Sequence, residues 1–277
     1  VQQVTVSEIN GQTDWFEALD GCDCVIHCAA RVHVMNESAR DPLALFREVN
    51  TIGTLALARQ AAKAGVKRFV FLSSIKVNAE TTKVNSPCRE EVEQTPTDPY
   101  GLSKYEAEQG LLTMVKETDM DIVIIRSPLV YGPRVKGNFY SMVKWVKKGI
   151  PLPLGAINNK RSLIAVDNLV SFIIHCIAYP KAANEVFLIS DGEDVSTTDL
   201  LKKVANAYGV KLCLLPVPVG LMRFTVKLLG KGALAERLFG NLQVDCSKSH
   251  DLLGWKPVIT MGEQLAQMAA MEKDENS

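Results

Sequence analysis

The sequence lacks the features that would direct it to a nucleic acid, a bilayer or a disulfide framework. Its 31 basic side chains balance 31 acidic ones, so no net field draws it to nucleic acid or an anionic surface. No apolar run is long enough to cross a bilayer, and the first residues do not resemble a secretory signal. Its seven cysteines form no Cys-x-x-Cys pair, which favours reduced thiols. We expect a cytoplasmic protein with no metal, no nucleic-acid partner and no firm membrane binding.

Aromatic residues are also scarce, but 47% of the 277 residues are hydrophobic, enough for a sizeable core. Apolar runs of strand length alternate with amphipathic helical stretches, which indicates right-handed crossovers and a parallel sheet. Continuous apolar strands further indicate helices on both faces. We predict an α/β, doubly wound parallel sheet. The predicted elements are strands at Cys24 to Cys28, Arg68 to Ser73 and Asp121 to Ser127, and helices at Pro42 to Ala64 and Tyr100 to Val115.

Beyond Pro133 the alternation of strands and helices weakens. A helix is predicted about Tyr140 to Lys148, a strand and a helix within Ser162 to Ala178, and mostly helices after Asp191. The polar tail, Lys273 to Ser277, is expected to fray. We predict a smaller mixed lobe that closes over a substrate. The predicted boundaries are a dinucleotide-binding domain over 1–133 and 162–190 and a substrate-binding lobe over 134–161 and 191–277.

The sharpest local feature is the run Asp98-Pro99-Tyr100-Gly101-Leu102-Ser103-Lys104. Asp98 can cap a helix that starts with Pro99, and Tyr100 and Lys104 then share one helical face. A cation beside a phenol favours the phenolate and lowers the tyrosine pKa toward working pH. Such a tyrosine can take a proton from a substrate hydroxyl. By itself, a Tyr-x-x-x-Lys pair is often a matter of packing.

A second feature strengthens the interpretation of the tyrosine as catalytic. Ser73 and Ser74 close a buried strand that precedes the tyrosine helix, at the edge where a doubly wound sheet binds its ligand. Ser74 can hydrogen-bond the same substrate oxygen that Tyr100 deprotonates. Two serines that end a strand can also cap a turn, but their order and spacing relative to Tyr100 favour a shared site.

These motifs resemble the extended short-chain dehydrogenase/reductase family, and within it the sugar-nucleotide epimerases similar to UDP-glucose 4-epimerase, including those of bacterial polysaccharide assembly. The likeness covers almost the whole sequence. Asp23 to Ala30 looks like the strand-four motif of the family, Asn50 to Thr54 like its asparagine helix motif, and Arg126 to Pro133 like its crossover segment. The resemblance implies a Rossmann-like fold.

The resemblance also implies a role for each matching residue. Tyr100 would be the acid/base and Ser74 would polarise the hydroxyl, while Lys104 would hold the nicotinamide ribose and lower the tyrosine pKa. His27 is interpreted as structural. Arg161 fits a diphosphate contact and an ordinary solvated charge about equally well. The implied cofactor contacts are Glu8, Ile9, Cys28, Ala29, Ala30, Asn50, Tyr100, Lys104 and Pro128. The implied substrate contacts are Ser74, Asn138, Arg161 and Asp245.

The sequence departs from the family pattern at several places. Ile75 and Lys76 stand where dehydratases carry two acidic residues, which disfavours dehydration. Asn78-Ala79 replaces the usual Tyr-Gly, and Leu129 replaces an asparagine that touches the sugar, so the sugar stays open. The first strand, its glycine-rich turn and the residue that selects NAD or NADP are expected upstream of Val1. We therefore expect the chain as given to bind cofactor poorly and to be impaired.

The implied activity is NAD-dependent epimerisation at C4 of a nucleotide-linked or lipid-diphosphate-linked hexose or N-acetylhexosamine, through a 4-keto intermediate. The expected partner is a UDP-linked sugar, with NADP as an open alternative cofactor and a homodimer formed through the helices at 42–64 and 100–115. Two alternatives remain: an NADP-dependent keto-sugar or carbonyl reductase with the same triad, and a noncatalytic or inactive truncated member. The apolar stretch Val219 to Leu229 is expected to pack into the lobe.

Overall fold

The computed structural model describes residues 3–32, 41–228 and 232–274. In these residues the strands are β1 (Cys24–His27), β2 (Arg68–Ser74), β3 (Asp121–Ser127), β4 (Leu129–Tyr131), β5 (Arg161–Ala165), β6 (Val186–Leu188) and β7 (Asp194–Val195). The helices are α1 (Phe16–Leu19), α2 (Pro42–Phe46), α3 (Thr54–Lys63), α4 (Pro99–Met114), α5 (Gly137–Lys147), α6 (Val166–Ala178), α7 (Thr197–Ala207), α8 (Val219–Leu228), α9 (Gly232–Phe239), α10 (Ser247–Leu253) and α11 (Met261–Asp274).

The main sheet has the order β1-β2-β3-β6 in the described chain, and every pair in it is parallel. The register between β2 and β3 runs from Arg68 opposite Asp121 to Ser74 opposite Ser127. Side chains alternate across this sheet. Phe69 and Phe71 pack with α3 and α4 on one face, while Val70 and Val123 pack with α6 on the other. The predicted doubly wound α/β fold is confirmed.

The predicted helix at 42–64 forms, but in three pieces. A π-helical stretch, Arg47–Gly53, separates α2 from α3. This stretch turns the Asn50 side chain fully inward. The loop that contains Ile9 passes close to the π-helical stretch, since a Cβ at Gly53 would lie 2.8 Å from Cγ2 of Ile9 and 3.2 Å from the Ile9 carbonyl carbon. Such wide turns recur at functional sites, and periodicity alone does not reveal them.

A second, smaller sheet has the order β4-β5-β7, with β4 parallel and β7 antiparallel to β5. β7 is absent from the sequence prediction because two residues carry no readable period. The core beneath this sheet joins residues of α5, α7 and α11, including Phe139, Leu201 and Leu265. The predicted domain boundaries stay a prediction. β5, assigned from residue 162 to the dinucleotide domain, pairs with β4 on one side and with β7 of the lobe on the other.

The apolar stretch at α8 packs on one side only. Met222 is buried, whereas Leu221, Phe224 and Leu228 are 56%, 65% and 78% exposed. The expectation of packing is therefore wrong for these three side chains, and Leu229 lies outside the described residues. Lys273 belongs to α11, and residues 275–277 of the predicted tail also lie outside them. No helix of the described ranges has both the length and the apolar character to span a bilayer.

Candidate active site

The tyrosine helix α4 begins where its sequence predicts. The Asp98 carboxylate accepts a hydrogen bond from the Gly101 amide at 2.9 Å, and Pro99 occupies the first helical position. The cap leaves Tyr100 in the first turn of the helix and Lys104 one turn later. The predicted N-cap is confirmed.

A short 3₁₀ helix, Ile75–Val77, connects the serine to the tyrosine. It starts directly after β2, and the Ser74 hydroxyl caps it by accepting from the Lys76 amide at 3.2 Å. The turn touches α4 so closely that a Cβ at Gly101 would lie 2.6 Å from the Lys76 carbonyl oxygen. Only glycine permits that approach. The approach brings Ser74 and Tyr100 together, close enough for the serine hydroxyl to act on the pKa of the phenol.

The Tyr100 phenol lies in a partly buried and mixed environment. Its ring meets Phe46 edge-on at a centroid distance of 6.0 Å, and the Lys76 ammonium lies 5.9 Å from its centroid. Burial raises the pKa of Tyr100, the hydrogen bond from Ser74 opposes that rise, and the Asp98 carboxylate adds to it. The predicted lowering of this pKa by Lys104 is therefore wrong for this structure, because desolvation dominates.

Lys104 is almost completely buried, with 1% of its surface exposed. Its ammonium donates to the Leu72 carbonyl oxygen at 2.8 Å and lies 4.2 Å from the centroid of the Phe71 ring. Burial lowers the pKa of Lys104 to about 8, against the opposing charges of Glu108 and Cys28. Only one of its three N–H donors has an acceptor in the described chain, so the group fits the hydroxyls of a ribose.

Asn50 braces the segment after β1 against the tyrosine helix. Its amide exchanges two hydrogen bonds with the backbone of Arg31, at 2.8 and 3.0 Å, and donates to the Ser103 hydroxyl at 3.1 Å. Ser103 in turn donates to the Tyr100 carbonyl at 2.8 Å. The asparagine is thus placed to position the backbone around the site, and its predicted contact with a cofactor stays a prediction.

The other predicted cofactor residues fall into two groups. Cys28, Ala29 and Ala30 follow β1, and Pro128 follows β3, so all four lie at the carboxyl edge of the sheet with Ser74. The Lys104 charge acts on Cys28, although burial still raises the pKa of that thiol. The other two predicted cofactor contacts, Glu8 and Ile9, lie in a loop that packs against the π-helical stretch. Ile9 contacts Gly53. The exposed Glu8 carboxylate accepts a hydrogen bond from the Asn10 side chain.

The predicted substrate residues Asn138, Arg161 and Asp245 lie on α5, on β5 and just before α10. Arg161 begins β5, donates to the Gly240 carbonyl at 3.3 Å, and has its pKa lowered by burial. Asp245 accepts from the Ser247 amide at 3.1 Å and from Arg89 at 3.2 Å, and its pKa is lowered mainly by hydrogen bonds from Ser247 and also by the Arg89 charge. Arg161 contacts one end of the segment 240–245, and Asp245 forms the other end. Leu242 and Val244 of this segment pack against Ile75 beside Ser74. Asn138 is exposed in the first turn of α5.

The sequence interpretation missed a buried ion pair next to the site. Glu108 lies one turn beyond Lys104 and is fully buried, and its carboxylate binds the Arg126 guanidinium at 2.6 to 3.2 Å. Arg126 also donates to the Asn78 side chain and to the Glu90 carbonyl, at 3.2 and 2.7 Å. The sequence sign of this ion pair was a single arginine, Arg126, in a largely apolar strand. The pair joins α4, β3 and the loop after β2.

His27 is satisfied within the core. Its Nε2 lies 2.9 Å from the Thr54 hydroxyl, and its ring stacks on Phe71 at 5.8 Å. Burial lowers the pKa of His27 to about 4, with the Lys104 charge acting in the same direction. The imidazole is therefore neutral near pH 7 and has a packing role.

A parallel, doubly wound sheet with a serine, a tyrosine and a buried lysine at its carboxyl edge defines a short-chain dehydrogenase/reductase. Residues 2–190 match the model of the NAD dependent epimerase/dehydratase family. The chain belongs to this family, whose cofactor is NAD.

Relatives agree with this assignment. The chain is 51% identical to a UDP-glucose 4-epimerase of Vibrio cholerae over 265 residues, 95% of this chain and 81% of that protein. It is 29% identical to the N-acetyl-α-D-glucosaminyl-diphospho-ditrans,octacis-undecaprenol 4-epimerase of Escherichia coli O157:H7, over 78% of this chain and 65% of that protein. A UDP-glucuronic acid 4-epimerase of Bacillus cereus, solved with NAD, shares the fold with a TM-score of 0.74 at 20% identity, over 96% of this chain and 79% of that one.

Proposed function

We propose that this protein epimerises C4 of a hexose or N-acetylhexosamine linked to a diphosphate carrier, a nucleotide or a lipid, through a 4-keto intermediate. The observation that carries the proposal is the contact between the Ser74 turn and the Tyr100 helix, which gives a hydroxyl and a phenol one shared position. The 51% identity to a UDP-glucose 4-epimerase supports the same reaction.

The residues at the edge of the sheet fit the nicotinamide end of NAD. The Lys104 ammonium would hold ribose hydroxyls with its remaining donors, next to Cys28, Ala29 and Ala30. When bound, NAD supplies the hydride acceptor that makes the C4 carbon a ketone and the hydride donor that restores it.

Tyr100 handles the proton of the C4 hydroxyl, and Ser74 holds the same oxygen. Because its pKa is raised, the phenol is protonated at neutral pH and suited to return a proton to the keto oxygen. Removal of a proton requires the phenolate, whose population increases with pH. We therefore expect turnover to rise with pH until Lys104 loses its charge above about 8.

The carrier diphosphate would bind at Arg161. This guanidinium is largely withdrawn from water, and it forms no ion pair with any residue the structure describes. A desolvated cation without a carboxylate is costly unless a ligand neutralises it, and two phosphate oxygens match its paired donors. Asp245 at the other end of the same segment would contact the nucleoside or the carrier.

Lys76 supports epimerisation over dehydration. Its ammonium lies 3.0 Å from Asp98 and 3.3 Å from Glu80. A charged amine held in this way is a poor base for removing the C5 proton that a dehydration requires. The turn after Ser74 therefore offers no acid/base pair beyond the tyrosine.

A homodimer formed through α2, the π-helical stretch and α4 remains part of the proposal. Leu45 and Ile52 on these elements are 38% and 46% exposed, and apolar side chains exposed on adjacent elements favour association. Sedimentation velocity of the protein and of a Leu45→Glu, Ile52→Glu variant tests this point, and a monomer in both would contradict it.

Replacing Tyr100 by Phe tests the proposed function. We expect turnover of UDP-glucose or UDP-N-acetylglucosamine, followed by NMR of the product, to fall by about a hundredfold or more, with an unchanged circular dichroism spectrum. Tyr105→Phe, on the same helix, is the matched control and should keep full activity. Substantial turnover in Tyr100→Phe would refute the role, and stoichiometric consumption of added NADPH would point to a reductase instead.

A further inference from the structure

The protein is neutral overall, but its charges are not evenly distributed along the chain. Two stretches, 122–166 and 200–235, contain no Asp or Glu at all. The cations they carry are Arg126, Arg134, Lys136, Lys144, Lys147, Lys148, Lys160 and Arg161 in the first, and Lys202, Lys203, Lys211, Arg223, Lys227 and Lys231 in the second. Several of them pair with carboxylates from outside the two stretches, such as Arg126 with Glu108, Lys203 with Glu193 and Arg223 with Glu236, but the cations outnumber these partners.

The fold places these two stretches side by side. The chain after α5 pairs with the chain before α8 through three backbone hydrogen bonds of 2.8 to 3.0 Å, which join Leu152 to Cys213 and Leu215 and join Gly155 to Leu215. The Lys147 ammonium also lies 5.3 Å from the centroid of the Tyr208 ring. The two stretches without acidic residues are therefore neighbours in the lobe, although Lys147 itself pairs with Glu272.

α8 presents an apolar stripe in this region. Leu221, Phe224 and Leu228 follow one another at intervals of three and four residues and so lie on one face of the helix. They are 56%, 65% and 78% exposed, whereas Met222 faces the core at 7%. We name these three side chains the α8 stripe. Three large apolar residues in water on one helix are an unusual cost for a surface without a partner.

The charged side chains of α8 itself, Arg223 and Lys227, are both basic. Lys227 is exposed and pairs with no carboxylate among residues 3–32, 41–228 and 232–274. Lys148 and Lys211, which belong to the two neighbouring stretches, are exposed as well. Arg223 is engaged with α9, where it meets Glu236 at 3.9 Å and the Phe239 carbonyl at 3.3 Å. An apolar helix face with basic residues around it is typical of a segment that lies in a membrane interface.

We propose that the α8 stripe, together with the exposed lysines Lys227, Lys211 and Lys148, forms a docking surface for an anionic phospholipid bilayer. Leu221, Phe224 and Leu228 would enter the boundary between headgroups and acyl chains, and the lysines would meet lipid phosphates. A second copy of the chain would oppose positive charge to positive charge, which disfavours self-association at this face. A helix of ten residues binds reversibly and with sensitivity to salt, not firmly.

This surface deepens the proposed function and rests on it in one respect: docking would bring the site to sugars whose diphosphate carrier is a lipid. The docking itself is a physical property of the α8 stripe and is measured independently of turnover.

Vesicle flotation of the full-length protein tests the proposal. Vesicles of phosphatidylcholine alone are compared with an equal mixture of phosphatidylcholine and phosphatidylglycerol. We expect binding to the anionic vesicles, loss of it in high salt, and little binding to the neutral ones. Phe224→Ser and Lys227→Glu should each weaken it by about tenfold. Ile174→Ser on α6, where the side chain is 60% exposed, and Lys181→Glu are the matched controls and should bind normally.

The possible results distinguish membrane docking from self-association and from a failure of the proposed function. No flotation with anionic vesicles at low salt overturns the docking surface, and so does equal weakening by the control variants. A change in sedimentation velocity of Phe224→Ser without vesicles would assign the stripe to an interface between copies and also overturns it. Turnover of a water-soluble UDP-sugar should be the same in Phe224→Ser as in the unaltered protein. Failure of that turnover in both proteins would instead count against the proposed function.

Discussion

At the scale of single residues, Tyr100 lies between opposite charges. Asp98 and Lys104 belong to its own helix, Lys76 approaches from the turn after Ser74, and α2 contributes the uncharged Phe46. Asp98 raises the tyrosine pKa, and the Lys76 ammonium, 3.0 Å from Asp98, partly neutralises that carboxylate. Lys76 is thus a positioning residue that acts on the phenol through Asp98.

We expect Lys76→Gln to raise the pKa of Tyr100 further, because Asp98 then faces the phenol without a counter-charge. Turnover at pH 7 should fall by roughly three- to tenfold, since the pair is partly exposed. The rise of kcat with pH should also move to higher pH. The measurement is the dependence of kcat on pH for the full-length protein.

The conservative variant provides the control for this prediction. Lys76→Arg keeps the charge near Asp98 and should restore the original pH profile. A Lys76→Gln protein with lower kcat but an unmoved pH profile would mean that Lys76 only packs the turn.

At the scale of elements, the pair of Glu108 and Arg126 holds α4 against β3. Both side chains are buried, at 0% and 3% exposure, so each charge depends on the other. The arginine also binds the loop after β2 through the Glu90 carbonyl. Loss of one partner would therefore loosen three elements around the site together.

We expect Glu108→Gln to lower the free energy of unfolding by about 3 to 5 kcal/mol, because the Arg126 charge is left uncompensated in the core. The double variant Glu108→Leu, Arg126→Met should lose less, since no unpaired charge remains. Urea unfolding followed by circular dichroism measures both.

A surface ion pair serves as the matched control for the buried one. Lys67 and Asp23 lie 2.9 Å apart with 80% of each side chain exposed, and Asp23→Asn should cost at most about 1 kcal/mol. If Glu108→Gln costs no more than Asp23→Asn, the buried pair does not hold these elements together.

At the scale of the whole molecule, His27 couples folding to pH. Its pKa is about 4 in the folded protein and 6.5 as the ordinary value, so the unfolded chain binds more protons between these limits. Stability contributed by the neutral ring is complete above pH 6.5 and is lost as the pH falls toward 4. The loss amounts to about 3 kcal/mol.

Thermal unfolding between pH 7 and pH 4.5 measures this loss, and His27→Gln should flatten the decline because its side chain does not titrate there. Replacement of the exposed His250 by Gln is the control and should leave the decline unchanged. An equally steep decline in His27→Gln would place the acid sensitivity in other groups.

The elements of the main sheet were predictable because their residues carry the signal locally. β3 matches its predicted range, α4 begins at its predicted cap, and β1 ends one residue before Cys28. β7 and the second sheet were not predictable, since their pairings join residues far apart in the chain, and the π-helical stretch was not, because apolar periodicity does not distinguish it from an α-helix. The site followed the same rule. Ser74, Tyr100 and Lys104 were visible as a motif, whereas the Glu108 and Arg126 pair required knowledge of which buried charges meet.

The sequence by itself determined the class of fold and the chemical identity of the site, because hydrophobic period, a helix cap and residue order are local properties. Only the tertiary structure decided the electrostatics. Desolvation raises the pKa of Tyr100 and lowers that of Lys104, and desolvation depends on how many layers of chain cover a group. The exposure of Leu221, Phe224 and Leu228 was likewise decided by packing, because a helix with two apolar sides can bury only the one that meets the core.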